Sequence, residues 1–206
     1  MNELRLKDYE KYRHDIHTNH KKEYTTPVIL FAAEPYSSNL IRSNQKQYKY
    51  KKYWKKDRPS NFLNAKKQPL RDIEEICIFY KKQCTYNPKM TEGKPCNDVG
   101  KQAGKKINKN RNYGNFKLIN REDSAKYPRQ MLSYSRPHPP EHRTEKPVPL
   151  MEDLVETYTN EGDLILDFTM GTGATGIACK KLNRKFIGIE KVEKYFNIAR
   201  ERIEKE

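Results

Sequence analysis

The sequence predicts an α/β fold organised around a nucleotide-binding unit of the Rossmann-like kind. Three observations carry this. Residues 164–190, LILDFTMGTGATGIACKKLNRKFIGIE, read as strand, glycine turn, helix, strand and acid. Directly before them, Leu150, Leu154, Val155 and Tyr158 recur at helical spacing. Far upstream, apolar and aromatic stretches at 27–33, 48–54 and 75–80 read as further strands.

In chain order, residues 1–26 are strongly charged, and LKDYEKYRHDIHTNHKKEY reads as a helix. His14, His17 and His20 are spaced by three on it. That spacing admits a metal site, but a solvated polar face is the reading adopted, and no metal is expected. The three strands come next. Residues 84–137 are rich in Asn, Lys and Gly, with little periodicity, and read as an irregular insert. Thr144, Glu145, Lys146 and Pro147 fall on a loop ahead of the next helix, whose first turn accommodates Pro149 and for which Gly162 is a stop signal. A strand at 164–167 then ends in Asp167. Gly171, Gly173 and Gly176 give G-x-G-x-x-G, where the backbone can approach a ligand that a Cβ would exclude. The strand at 185–190 ends in Glu190, 23 residues after Asp167, placed to accept hydrogen bonds from a ribose diol.

The combination His142-x-Thr144-Glu145-Lys146-Pro147, a helix, LDFTMGTGATG and then FIGIE closely resembles the DNA amino-methyltransferases, the N6-adenine and N4-cytosine group in its permuted motif order. Arg143 stands where that family usually has proline, and D-F-T-M-G-T-G-A-T stands in for its D-x-F-x-G-S-G-T-T; both glycine-loop versions use small residues. The resemblance covers roughly residues 25–206 and is closest to phage and prophage members. It implies S-adenosylmethionine as cofactor, lying across the loop of Asp167, Phe168, Thr169, Gly171 and Gly173. Glu190 would hold the ribose hydroxyls, and Phe168 with Thr144, Lys146 and Pro147 would flank the methionine moiety. It further implies a flipped adenine, less often a cytosine, methylated on its exocyclic amine without a metal. The implied organisation is a partial catalytic subdomain at 1–83, a target-recognition insert at 84–141 and a cofactor subdomain at 142–206.

The family's D-P-P-Y signature is missing. No D-P-P-Y, N-P-P-Y or S-P-P-Y occurs in the chain, so no catalytic residue is assigned. Glu34-Pro35-Tyr36 lacks the second proline and follows a different strand from the family's. The resemblance therefore implies an N-terminally truncated chain with an incomplete sheet. A central strand would be lacking, and strand edges on either side would stand unpaired. The chain is then a remnant, or the downstream half of a split enzyme completed by a separate upstream polypeptide, or one in which residues 1–24 replace the lost strand.

Composition points to a nucleic-acid partner. Net charge is +15 on 206 residues. Residues 42–67 hold ten Lys or Arg against one acid, Asp57, interleaved with Tyr48, Tyr50, Tyr53 and Trp54. Residues 101–117 add six cations and no acid. Lys51, Lys52, Lys55, Lys56, Lys66, Lys67, Lys105, Lys106 and Arg111 are the expected contacts to double-stranded DNA, and the asparagines around 108–115 are candidate base readers. Hydrophobic residues make up only 34% and mean hydropathy is −1.10, lean for a full core. Cys77, Cys84, Cys96 and Cys179 form no C-x-x-C pair and read as reduced thiols. With a charged N-terminus and no apolar run of spanning length, a cytoplasmic location is expected.

Overall fold

The computed structural model describes residues 25–93, 107–110, 114–117 and 124–206, the two short stretches as backbone only. The expected N-terminal helix with His14, His17 and His20, together with Cys96, Lys105, Lys106, Arg111 and the side chains of the 108–115 asparagines, lies outside the described residues.

Contacts divide the chain into two compact units, Pro88–Arg129 and the remainder. The larger unit opens with β1 (Val28–Ala32), α1 (Tyr36–Ser43), β2 (Tyr48–Ser60) and β3 (Arg71–Phe79). β3 is central: it pairs antiparallel with β1, from Val28↔Phe79 to Ala32↔Glu75, and with β2 on its other side. A short strand, Met131–Ser133 (β8), adds parallel to β2 through Tyr53↔Met131. The two-residue period of β3 sends its side chains to opposite faces. Ile76 and Ile78 pack with Trp54, Leu132, Leu150, Leu154 and Tyr158. Cys77 and Phe79 pack with Ala32 and with Leu40 of α1.

Both strands of the β2–β3 hairpin are longer than expected. The stretch KKYWKK hides its period because lysines occupy inward positions: Lys52 is buried beside Trp54, its charge met by Asp153. β8 was not expected at all. Its pairing brings the chain from Gln130 onward into the larger unit.

The C-terminal part contains α2 (Val148–Tyr158), β9 (Leu164–Asp167), α3 (Ala174–Lys181), β10 (Lys185–Gly188) and α4 (Glu193–Lys205). β9 and β10 pair in parallel, Leu164↔Lys185 to Asp167↔Gly188, with α3 as the crossover. α2 ends at Tyr158, earlier than Gly162 indicated. There the Thr159 N–H and hydroxyl both donate to the Val155 carbonyl, at 3.0 and 2.6 Å. Gly162, at φ 80°, serves the turn into β9 instead.

Among the described residues no strand pairing joins the four-stranded sheet to β9–β10. α2 connects them. Its Leu150, Leu154 and Tyr158 enter the sheet's core, while Val155 packs on Ala178 and Cys179 of α3. Each such side chain, fully buried, contributes about 1.5–3 kcal/mol.

The smaller unit holds two antiparallel pairs, Thr91–Glu92 (β4) with Ala125–Lys126 (β7), and Ile107–Asn110 (β5) with Gly114–Lys117 (β6). Among the described residues no helix is long and apolar enough to cross a membrane.

Candidate functional site

The glycine loop forms at the carboxyl ends of β9 and β10. Asp167 closes β9, and its carboxylate turns inward to organise the loop. Oδ1 accepts from the Thr169 N–H at 3.0 Å and Oδ2 from the Thr175 hydroxyl at 2.6 Å. The first of these folds the chain back after the strand; the second pins the first turn of α3. Gly171 and Gly173 take φ of 54° and 84°, the left-handed region that glycine enters without penalty. At Gly173 a Cβ would also stand 3.0 Å from the Ala199 Cβ and 3.1 Å from its Cα, so α4 packs directly on the loop. At Gly171 the corresponding space is open to 4 Å. Glu190 lies two residues beyond β10 and is tied to the same loop. Its Oε2 accepts from Gly171 N–H at 3.0 Å and its Oε1 from Val192 N–H at 2.9 Å. One face of the loop therefore presents bare backbone, a fixed carboxylate and the start of α3, where unpaired N–H groups favour negative charge.

The segment before α2 braces this loop from the side. Glu145 Oε1 receives Arg202 of α4 at 2.7 Å, and the same Arg202 nitrogen donates to the Thr172 carbonyl at 3.0 Å. Glu145 Oε2 accepts the Glu141 N–H at 2.8 Å. Thr144 is exposed, bonded through its N–H and hydroxyl to His142 Nδ1 at 3.2 and 3.0 Å. His142 in turn meets the Tyr195 ring edge-on. Pro147 is buried and caps α2. Lys146 turns toward the four-stranded sheet. Its Nζ pairs with Glu74 of β3 at 2.7 Å and lies over the Phe31 and Trp54 rings. Burial pushes the Glu74 carboxyl up, but the charges and hydrogen bonds of Lys146 and Lys56 outweigh this and hold it below its ordinary range. Sequence reasoning missed Arg202 and Glu74; each is one charge among many in its segment, and nothing local distinguishes it.

In the basic hairpin, three of the lysines expected to contact DNA are paired with carboxylates of the chain itself. Lys52 is 7% exposed and paired with Asp153 at 3.2 Å. Lys51 bridges Glu75 at 2.9 Å and Glu34 at 3.6 Å. Lys56 pairs with Glu74 at 2.7 Å and sits over Trp54. Lys55, Lys66 and Lys67 remain exposed, as does Arg58. Glu34-Pro35-Tyr36 lies at the turn into α1, where Glu34 accepts from the Ser38 hydroxyl at 2.8 and 2.9 Å.

A family model described as DNA methylase, covering the N6 and N4 enzymes, matches residues 9–201. The chain belongs to this DNA methylase family. Among its relatives, the type II methyltransferase M2.DpnII of Streptococcus pneumoniae is 38% identical over 109 residues, 50% of this chain and 41% of the relative. M.HpaI of Haemophilus parainfluenzae is 41% identical over 71 residues, 34% of this chain and 21% of the relative. These alignments thus span less than half the length of either relative. In three dimensions the DNA methylase chain is similar to M1.HpyAVI, solved in complex with SAM. TM-score is 0.57 at 26% identity, covering 87% of this chain and 74% of that one. The cytosine-N4-specific PvuII DNA methyltransferase gives 0.54 at 15% identity, over 85% and 63%, a likeness of fold alone. The α/β methyltransferase fold expected from the sequence is thus the fold observed, with a partial mixed sheet among the described residues.

Proposed function

We propose that this chain binds S-adenosylmethionine over the Asp167–Gly173 loop and duplex DNA through its exposed lysines, as the donor- and DNA-binding portion of a site-specific methyltransferase directed at the N6 amine of adenine. The observation that carries this reading is the pairing of Glu190 with Gly171. A carboxylate fixed by two backbone N–H groups keeps a second lone pair on each oxygen, which suits a vicinal diol. The space a Cβ would fill at Gly171 stays open beside it. The residues present therefore fit the donor. Glu190 would hold its ribose, Phe168, Thr169, Gly171 and Gly173 would line its path, and Thr144 and Pro147 would bound one end. Asp167, with both oxygens already engaged, acts by shaping the loop. When bound, S-adenosylmethionine supplies an electrophilic methyl group on its sulfonium centre. Lys55, Lys66 and Lys67, with Lys105, Lys106 and Arg111 of the insert, would neutralise phosphates.

Isothermal calorimetry on the full chain tests the loop. S-adenosylmethionine is expected to bind, and Glu190→Ala to weaken it about tenfold or more, equivalent to about 1.4 kcal/mol. Unchanged affinity would remove Glu190 from the site. A second reading, binding without catalysis, is favoured by the sequence, which offers no D-P-P-Y to accept the amine's hydrogens. On that reading the purified chain transfers no labelled methyl to DNA. Label appearing in DNA refutes it, and digestion to nucleosides then tells N6-methyladenine from N4-methylcytosine.

A further inference from the structure

The turn between β2 and β3 holds two large apolar side chains in solvent. Phe62 is 78% exposed and Leu63 96%. The turn that presents them is firmly built. Asn61 adopts φ 72° and its side-chain oxygen accepts from Asn64 Nδ2 at 2.8 Å. Three backbone bonds reinforce it, Asn64 N–H to Asn61 O, Ala65 N–H to Phe62 O and Lys67 N–H to Asn64 O, at 3.0, 2.9 and 2.8 Å. The Ser60 hydroxyl closes the hairpin on Arg71 O at 3.1 Å. A mobile loop would let apolar side chains fold back; this one holds them outward.

Their surroundings identify the partner. Residues 55–71 contain six Lys or Arg and a single acid. That acid, Asp57, is engaged by the Arg136 N–H at 2.8 Å and by Arg58. Lys55, Arg58, Lys66, Lys67 and Arg71 are exposed around the tip. An apolar point ringed by cations matches a polyanion with apolar surfaces stacked inside it, which describes the base-pair stack of duplex DNA.

We infer that Phe62 and Leu63 form a wedge that enters between adjacent base pairs while the flanking cations hold the phosphates on either side. This rests on the DNA-binding reading above and deepens it. An aromatic ring and a branched chain together cover the base faces exposed when a step opens. Opening the step lowers the cost of turning a nearby base out of the stack, which chemistry on an exocyclic amine requires.

The test uses the full chain and a duplex carrying, at several positions, an adenine analogue that brightens when unstacked. The parent chain is expected to bind with steep salt dependence and to brighten the analogue. The double variant Phe62→Ser, Leu63→Ser is expected to keep the salt dependence and lose the brightening; both positions are solvent-facing, so the fold is spared. Equal brightening by parent and variant overturns the wedge while leaving DNA binding intact. A parent that shows no salt-dependent binding overturns the underlying reading as well. A parent that binds vesicles of anionic lipid through these two residues, and not the duplex, makes the tip a membrane contact and overturns the inference.

Discussion

Glu74 shows how a single charge in this chain is decided by its neighbours. It lies between Lys56 and Lys146 with both oxygens engaged at 2.7 Å, and its carboxyl is held below the ordinary range against the opposing effect of burial. A carboxylate whose folded pKa is depressed contributes stability above its unfolded pKa and loses it as pH falls through the folded value. Glu74→Gln is therefore expected to destabilise the protein at neutral pH by about 2 kcal/mol and to flatten the acid limb of its stability profile. Denaturant unfolding at pH 7 and across the carboxylate range checks both; parallel profiles for parent and variant would show the ion pairs to be idle. The buried thiols follow the same reasoning with opposite sign. Burial pushes Cys77 up to about 11 and Cys179 up to about 12, so both remain protonated and poorly nucleophilic at neutral pH.

Among the elements, the segment before α2 has the widest reach. Glu145 and Lys146 are neighbours in sequence, yet one is anchored through Arg202 to the glycine loop and the other to β3. Arg202→Ala is expected to free the Thr172 carbonyl and loosen the loop, weakening S-adenosylmethionine binding about tenfold by calorimetry while leaving DNA affinity unchanged. An equal loss of both would point to general unfolding instead. These connections also mark where sequence reading stops. β9 and β10 were legible because short apolar runs are bounded by glycines and acids. β2 was legible only as far as Trp54, since beyond it the one inward cation is Lys56 and Asp57, Arg58 and Pro59 are exposed. β8 has three residues and no period to read. Arg202 was invisible because its partners lie 57 and 30 residues away.

For the molecule as a whole, net charge overstates what is available to a partner. Ten cations fall within residues 42–67, but Lys51, Lys52 and Lys56 neutralise the protein's own carboxylates. DNA affinity should accordingly separate the lysines into two groups. Lys55→Ala, Lys66→Ala and Lys67→Ala are each expected to lower the slope of log affinity against log salt by about 0.9. Lys51→Ala should leave that slope unaltered. A matching drop for Lys51→Ala would mean that the ion pairs open on binding. The family and its fold were legible because the glycine loop and the T-E-K-P segment are compact and local. The distribution of usable charge was not, because it depends on which strands meet.

The adjacency of Glu145 and Lys146 carries a consequence for how this region tolerates change. Exchanging either residue removes one tether and spares the other. Inserting or deleting a residue between them shifts the spacing itself, so that when one tether is seated the other falls out of reach. A one-residue insertion at this corner is accordingly expected to cost more stability than the exchange of either side chain alone.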